Sequence, residues 1–469
     1  MKRAGVAYLF PAERRVALSN LAPHYFFGAF RESHGLDLLF DGEERSLLDR
    51  KRPNEVAVLL VGLSYEPSYL TFVRYLQANG IPVLRSDRPA GNFPLIIAGG
   101  VAPSLNPQPL LDICDAVLCG EAEPMHDDLT ALLDSPATAR ELIAKLPYAA
   151  KPGRKPRIIQ AAAGRFAVHS HPELAAEGNE FGGRTVLELD RGCIGKCYFC
   201  AARHLYGESR EADRHLITHA AEAAFKRGED IALLGTGLES VSYFDDLLDR
   251  AIAAGRTVSL SSVRIAGFTP QRAARLVAAG VKTVTLAPES MVAATRSRIG
   301  KPLSDESLFA AFELAKEHHF RVKLYLMAGL PDGDSAAEAQ ALIAFFTDLK
   351  KRKLTVPLSL SVSPFCPKPG TPFRDKALMP KKEYEHFRAA AMRGLDKLMP
   401  QMPIEWFSWR ESLLQTALGR LGTDGAQFLA AYADTGNLRT AEKRSGIRLE
   451  DAASEIAGIT VATGRKKSA

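Results

Sequence analysis

At 469 residues the chain is too long for one ordinary domain, and two or three are expected. A hydrophobic fraction of 46% beside 24% charged residues excludes a disordered chain, and no run of about 18 uncharged apolar residues offers a membrane span. The net charge of +6 is small for this length and gives no argument for a nucleic-acid partner. The two main basic runs, 350–353 (Lys-Lys-Arg-Lys) and 465–467 (Arg-Lys-Lys), read as a solvated helix end and a frayed tail.

The opening Met-Lys-Arg-Ala-Gly-Val-Ala-Tyr-Leu-Phe is basic and then apolar. Its apolar run stops at Pro11, too soon for a secretory h-region, so it reads as a first strand of a cytoplasmic protein. Residues 1–145 alternate strand-like and helix-like segments, the pattern of a doubly wound, Rossmann-like α/β domain. Three apolar runs, 56–63, 94–98 and 116–119, predict buried parallel strands. An amphipathic helix over 69–79 stops at Gly80. Each strand ends in small residues: Ser64, then Gly99-Gly100, then Gly120-Glu121. Open α/β sheets place their ligands at such ends.

The pattern breaks over residues 146–183, where Lys151-Pro-Gly-Arg-Lys-Pro156 has a linker composition. From Arg184 the β-then-α alternation returns six times, with strands predicted at 185–190, 230–235, 257–262, 282–287, 321–328 and 356–363. Helices over 271–279 and 304–318 fall between them. Six units in residues 184–373 suggest a partial (β/α)6 barrel, whose chemistry belongs at the C-terminal strand ends. Residues 374–469 read as a mostly helical extension that holds the two tryptophans, Trp406 and Trp409.

Six cysteines in a chain this size do not make a disulfide framework. Three of them form Cys193-Ile-Gly-Lys-Cys197-Tyr-Phe-Cys200, directly after the first barrel strand. Structural zinc sites usually pair two C-x2-C knuckles, and only one is present here. Three thiolates on one short loop suit three irons of a [4Fe–4S] cubane, and with no fourth cysteine nearby one iron keeps an open site.

At these residues the chain resembles the radical S-adenosylmethionine (SAM) superfamily, with an N-terminal cobalamin-binding-like domain. The resemblance implies that SAM chelates the open iron and is cleaved to a 5′-deoxyadenosyl radical, with an electron donor such as flavodoxin or ferredoxin as partner. It gives Phe199 a backbone contact to adenine and makes Gly235-Thr236-Gly237 the turn that holds the SAM amino group. The usual acid of that turn is missing, with Glu239 two residues on. Ser262 and Arg264 fall at a ribose or carboxylate contact. Glu289 ends the fourth strand, and Lys301 takes the position of a cation for the SAM carboxylate, with Arg298 as the alternative. Met327-Ala-Gly-Leu-Pro331 matches the family's Gly-Leu-Pro turn, while Tyr325 replaces a frequent ribose-binding Asp.

In the N-terminal domain Ser64, Gly99, Gly100 and Gly120 resemble positions where a cobalamin nucleotide tail approaches the backbone. The signature that supplies histidine to cobalt is absent, and His24 reads as an ordinary core or loop residue. The resemblance thus carries a cobalamin-dependent methylation of an unactivated carbon as the leading reading. A methylthiotransferase-like enzyme is the first alternative, but only Cys114 and Cys119 are at hand for its second cluster, and both read as packed. A non-catalytic iron–sulfur sensor or scaffold is the second. Cys366 reads as packed rather than as a radical-quenching thiol.

Overall fold

The computed structural model describes residues 5–89 and 91–454. The basic run at 465–467 lies outside the described residues. The two sheet systems follow from the alternation above. β1 (Val6–Phe10), β2 (Asp37–Phe40), β3 (Val58–Gly62), β4 (Leu95–Gly99) and β5 (Ala116–Val117) form a parallel sheet in the order β2-β1-β3-β4-β5. Strand order reverses between β1 and β3, so a ligand crevice is expected at that switch point. β2 was not expected from the sequence: its four residues, Asp-Leu-Leu-Phe, are too short a run to stand out.

Side chains alternate across this sheet. Ala7, Leu9, Leu59, Val61 and Ile96 pack with the helix Ser68–Ala78 on one face. Tyr8, Phe10, Leu60, Ile97 and Leu118 pack with the helices Leu21–His34 and His126–Asp134 on the other.

The connector is not a free linker. Ile159 N–H donates to the Cys119 carbonyl, Glu121 N–H to the Ile159 carbonyl, and Ser170 N–H to the Val186 carbonyl. It therefore runs along the edge of one sheet and then along the edge of the next, satisfying backbone groups of both.

The second system holds β6 (Thr185–Glu188), the two-residue β7 (Asp190–Arg191) and β8 (Arg210–Glu211), β9 (Ile231–Leu234) and β10 (Val258–Leu260). It continues with β11 (Thr283–Glu289), β12 (Arg321–Ala328), β13 (Leu358–Pro364) and β14 (Ile404–Trp406). The parallel ladders are β6-β9-β10 and β11-β12-β13-β14, which meet where Val263 N–H reaches the Thr285 carbonyl at 3.4 Å. All six expected strands are present, and β14 adds a seventh from the region read as helical. Trp406 is thus a strand residue, its ring packed edge-on against Tyr384 and Phe387.

Outward residues of these strands, such as Leu187, Leu233, Val322, Leu324 and Leu360, are buried under the surrounding helices. Those helices start on side-chain caps, where Thr269, Ser304 and Asp334 accept backbone N–H bonds.

The C-terminal region divides between the two systems. The helix Lys381–Leu398 packs on the barrel through Tyr384, Phe387 and Leu395. The helices Trp409–Arg420, Gly425–Thr435 and Leu438–Ser445 return to the N-terminal sheet's core. Phe428 and Leu429 are fully buried there, and each contributes on the order of 1.5–3 kcal/mol. No helix among the described residues is long and apolar enough to cross a membrane.

Candidate functional site

The cysteine loop leaves β7 and ends at the helix Ala201–Tyr206, for which Cys200 is the N-cap residue. Outward and inward residues alternate along it: Ile194, Lys196 and Tyr198 are exposed, and the three cysteines are half-buried. Burial pushes the Cys197 thiol up to about 11, and the Lys301 ammonium acts against that rise. Burial also raises the Cys200 thiol, opposed first by backbone N–H groups at the start of the helix.

Gly195 supplies a direct test of fit for a cluster. A Cβ there would lie 3.4 Å from Cys193 Sγ and 3.8 Å from Cys197 Sγ, in the space between the two thiols. The missing side chain keeps that space open. Among the described residues no three His, Cys, Asp or Glu side chains converge on a single ion position.

Above the loop, Phe199, Met327 and Phe373 each pack against the buried cluster of Ile299, Leu330 and Phe365. Ile299 accepts a backbone bond from Tyr198, which brings the segment that ends at Lys301 onto the cysteine loop. Lys301 Nζ donates to Glu289 Oε1 at 2.8 Å, so these two candidate SAM contacts are paired with each other. Glu289 sits at a bulge at the end of β11 with φ +68°, and burial raises its carboxyl against the pull of Lys301. Arg298 donates to Thr295 Oγ1, and Arg296 is a fully buried clamp on Asp305 and the Ser290 and Leu303 carbonyls. Of Lys301 and Arg298, Lys301 is the one whose charge acts on the Cys197 and Cys200 thiols.

The Gly235-Thr236-Gly237 turn has an acid after all, contributed by another strand. Asp190 on β7 accepts from Thr236 N–H at 2.8 Å and Thr236 Oγ1 at 2.9 Å, and burial raises its carboxyl. A side chain at Gly235 would strike that carboxylate. Glu239 does not serve the turn: it is buried and ion-paired with Arg264, which binds that candidate ribose contact in place. Glu239 Oε2 is left without a hydrogen-bond partner among the described residues. Ser262, just beyond β10, is half-buried.

Ser64, Gly99, Gly100 and Gly120 line one cavity of ≈ 440 Å³, together with Gly235 and Thr236 of the barrel. The cavity lies over the Tyr8, Leu60 and Ile97 face of the N-terminal sheet and opens at the switch point. Its lining is mainly apolar and contains no histidine. The sequence reading of two glycines needs correction. A Cβ on Gly100 (φ +113°) would lie 2.9 Å from the Leu63 carbonyl carbon, and one on Gly120 (φ +124°) 2.6 Å from Ile159 N. Their bareness admits neighbouring backbone, so they border the cavity without being kept small by a ligand.

The lining of the cavity includes a charge cluster that the sequence did not announce. Arg191 reaches Glu121 at 3.1 Å, Glu123 at 2.7 Å and Glu188 at 2.7 Å, and lies 4.4 Å over the Phe166 ring. Arg210 meets Glu121 at 2.5 Å. The Glu121 carboxyl is raised by burial, but the two guanidiniums outweigh this and hold it below the ordinary range. Glu121 and Glu123 belong to the turn after β5, and Arg191 stands two residues before Cys193. The cluster therefore clasps the N-terminal sheet to the root of the cysteine loop.

His24 is confirmed as a core residue: Nε2 bonds the Leu18 carbonyl at 2.9 Å and Nδ1 accepts from His171 N–H at 2.9 Å, and burial depresses it to about 4. Cys114 and Cys119 are buried in the N-terminal core, both thiols pushed up to about 12. Cys366 donates to the Pro364 and Ser412 carbonyls.

Comparison with known proteins agrees with this geometry. Residues 187–344 match the radical SAM superfamily, and residues 42–146 match the family described as radical SAM proteins, N-terminal. The chain belongs to the radical SAM superfamily. It is 24% identical over 436 residues to the uncharacterized protein MJ0966 of Methanocaldococcus jannaschii, covering 92% of this chain and 90% of that one. The fold is shared with TsrM of Kitasatospora setae, a radical SAM methyltransferase solved with tryptophan and a SAM analogue (TM-score 0.53, 12% identity, 78% of this chain and 74% of that one). It is also shared with OxsB, a cobalamin-dependent SAM radical enzyme solved with aqua-cobalamin and SAM (TM-score 0.53, 14% identity). That match covers 74% of this chain and 52% of OxsB.

Proposed function

We propose that this radical SAM protein is an enzyme that uses a [4Fe–4S] cluster on Cys193, Cys197 and Cys200, together with a corrinoid at the interdomain cavity, to methylate an unactivated carbon. When bound, the cluster and SAM supply a 5′-deoxyadenosyl radical that abstracts a substrate hydrogen, and the corrinoid supplies a methyl group. The chain's residues bind and orient. Gly195 leaves room between two thiols, Lys301 offers a cation beside the loop, and Asp190 fixes the Gly-Thr-Gly turn in shape.

The observation that carries the two-cofactor reading is the cavity that joins Gly99 and Ser64 of the N-terminal sheet to Gly235 and Thr236 of the barrel. Its apolar lining suits a macrocycle edge, and it offers no imidazole to a metal. The relatives with this fold include enzymes solved with SAM and with cobalamin, which supports the same assignment.

The test is anaerobic reconstitution with iron and sulfide, with and without hydroxocobalamin, followed by reduction and product analysis. Formation of 5′-deoxyadenosine and S-adenosylhomocysteine is expected, with a corrinoid spectrum retained through gel filtration. Absence of both products overturns the enzyme assignment. Products without a retained corrinoid spectrum overturn only the corrinoid.

A second reading is a non-catalytic cluster binder. The internal pairs Lys301–Glu289 and Arg264–Glu239 favour it, because they occupy groups that SAM would need.

A further inference from the structure

The inner face of the barrel differs from a packed barrel core. Such interiors are normally filled by layers of bulky branched residues. Here the outward residues Val322, Leu324 and Leu326 of β12 are buried under the helices. Their neighbours therefore face the concave side, since strand side chains alternate. Across the ladder these inner residues form two rows. Thr285, Lys323 and Ser359 are paired in one, and Tyr325, Ser361 and Glu405 in the next. The patch thus combines one cation, one anion, one phenol ring and three aliphatic hydroxyls.

Several of these groups have spare capacity. Among the described residues the Lys323 ammonium makes no hydrogen bond; it lies 5.1 Å over the Tyr325 ring and 3.9 Å from Glu405 Oε2. Glu405 accepts from Ser361 Oγ at 2.8 Å through that same oxygen, and its side chain is 58% exposed at the edge strand. The Tyr325 side chain is exposed inside the concavity. An open ion pair of this kind in water contributes little, so stability does not explain why both charges stand on the inner face. Two residues above Tyr325 on the same face, roughly 7 Å along the strand, Met327 packs against the Ile299, Leu330 and Phe365 cluster that Phe199 of the cysteine loop also packs against. The patch therefore lies on the strand that leads to the cysteine loop's apolar support.

We infer that Thr285, Lys323, Tyr325, Ser359, Ser361 and Glu405 form the substrate subsite of the barrel, and that it takes a small zwitterion of the α-amino-acid class. The substrate carboxylate pairs with Lys323 and its ammonium with Glu405, while its side chain lies along the Tyr325 ring toward Phe199. A polyanion such as RNA meets Glu405 unfavourably, and a lipid tail finds no apolar wall in these six residues. The inference rests on the radical SAM reading for what happens to the substrate, but not for its binding.

The test is calorimetric titration of the purified full-length chain with the free proteinogenic amino acids, and with their N-acetyl amides, which lack both charges. At least one free amino acid is expected to bind, and its N-acetyl amide is expected to bind at least tenfold more weakly. Lys323→Met and Glu405→Gln should each weaken the free amino acid about tenfold or more. Lys323→Arg should restore most of the affinity lost in Lys323→Met. In parallel, wild type is assayed for conversion of SAM to 5′-deoxyadenosine under dithionite. If no free amino acid binds wild type, or if binding is indifferent to Lys323 and Glu405, the inference is overturned. If amino acids bind as expected but no 5′-deoxyadenosine forms in wild type, the radical reading fails and the subsite stands.

Discussion

The two parallel sheets of this chain end in opposite kinds of surface. At the N-terminal sheet, small residues leave a mainly apolar cavity, and the charged groups beside it are locked to one another: Arg191 and Arg210 bind Glu121, Glu123 and Glu188. On the inner face of the barrel the charged groups are solvated and loosely held, as the 3.9 Å Lys323–Glu405 pair shows. Buried paired charges hold two bodies in register, and loosely paired charges in an open lumen are free to exchange partners with a ligand. The first surface thus fits the role of a joint around a cofactor, and the second that of a recognition surface.

This contrast can be broken experimentally, and the joint should give the largest effect. Arg191→Met leaves three carboxylates short of a cation at a nearly buried site. Losing one partner of such a cluster costs about 3–5 kcal/mol, read as a lower midpoint in urea denaturation of the apo-protein. A change below about 1 kcal/mol would mean that the cluster is not a clasp.

The N-terminal domain should also lose stability in mild acid. Folded His24 stays neutral down to about pH 4, whereas an unfolded histidine takes up its proton near 6.5. The depressed value makes a contribution of about 3 kcal/mol that is complete above pH 6.5 and lost as pH falls toward 4. His24→Gln should flatten the pH dependence of the denaturation midpoint in that window. An unchanged slope contradicts the assignment.

A smaller effect is expected at Lys301. Lys301→Met removes a charged hydrogen bond worth about 1.5–3 kcal/mol, so SAM affinity of the reconstituted protein should fall roughly 10- to 100-fold in equilibrium dialysis. Equal affinity would place the SAM carboxylate elsewhere. Gly195→Ala should be the mildest for the fold, within about 0.5 kcal/mol in apo stability, because its φ is not in the left-handed region. Its iron content after reconstitution should nevertheless drop, since the new methyl stands between two thiols. Wild-type iron loading would refute the cradle.

The legible part of this molecule is local. The C-x3-C-x2-C loop and the six barrel strands are set by spacing and alternation that neighbouring residues carry by themselves. What stayed hidden is nonlocal. β14 is three residues in a stretch whose other signals are helical, and only pairing with Leu360–Val362 makes it a strand. Asp190 supplies the acid of the Gly-Thr-Gly turn from 46 residues away, so a search next to Gly237 finds Glu239 instead. Glu121 looked like part of a ligand turn, and its partners Arg191 and Arg210 sit on the far side of the connector. Tyr325, first met as a departure from a ribose-binding acid, becomes intelligible once its strand neighbours Ser361 and Lys323 are known.

The central claim is that Cys193, Cys197 and Cys200 hold a cluster with an iron open to SAM. Electron paramagnetic resonance of the reduced, reconstituted protein with and without SAM tests it most directly. The account predicts a [4Fe–4S]⁺ signal that changes shape and g-values on addition of SAM and is absent in Cys197→Ala. A signal that ignores SAM would show a closed cluster and contradict the account.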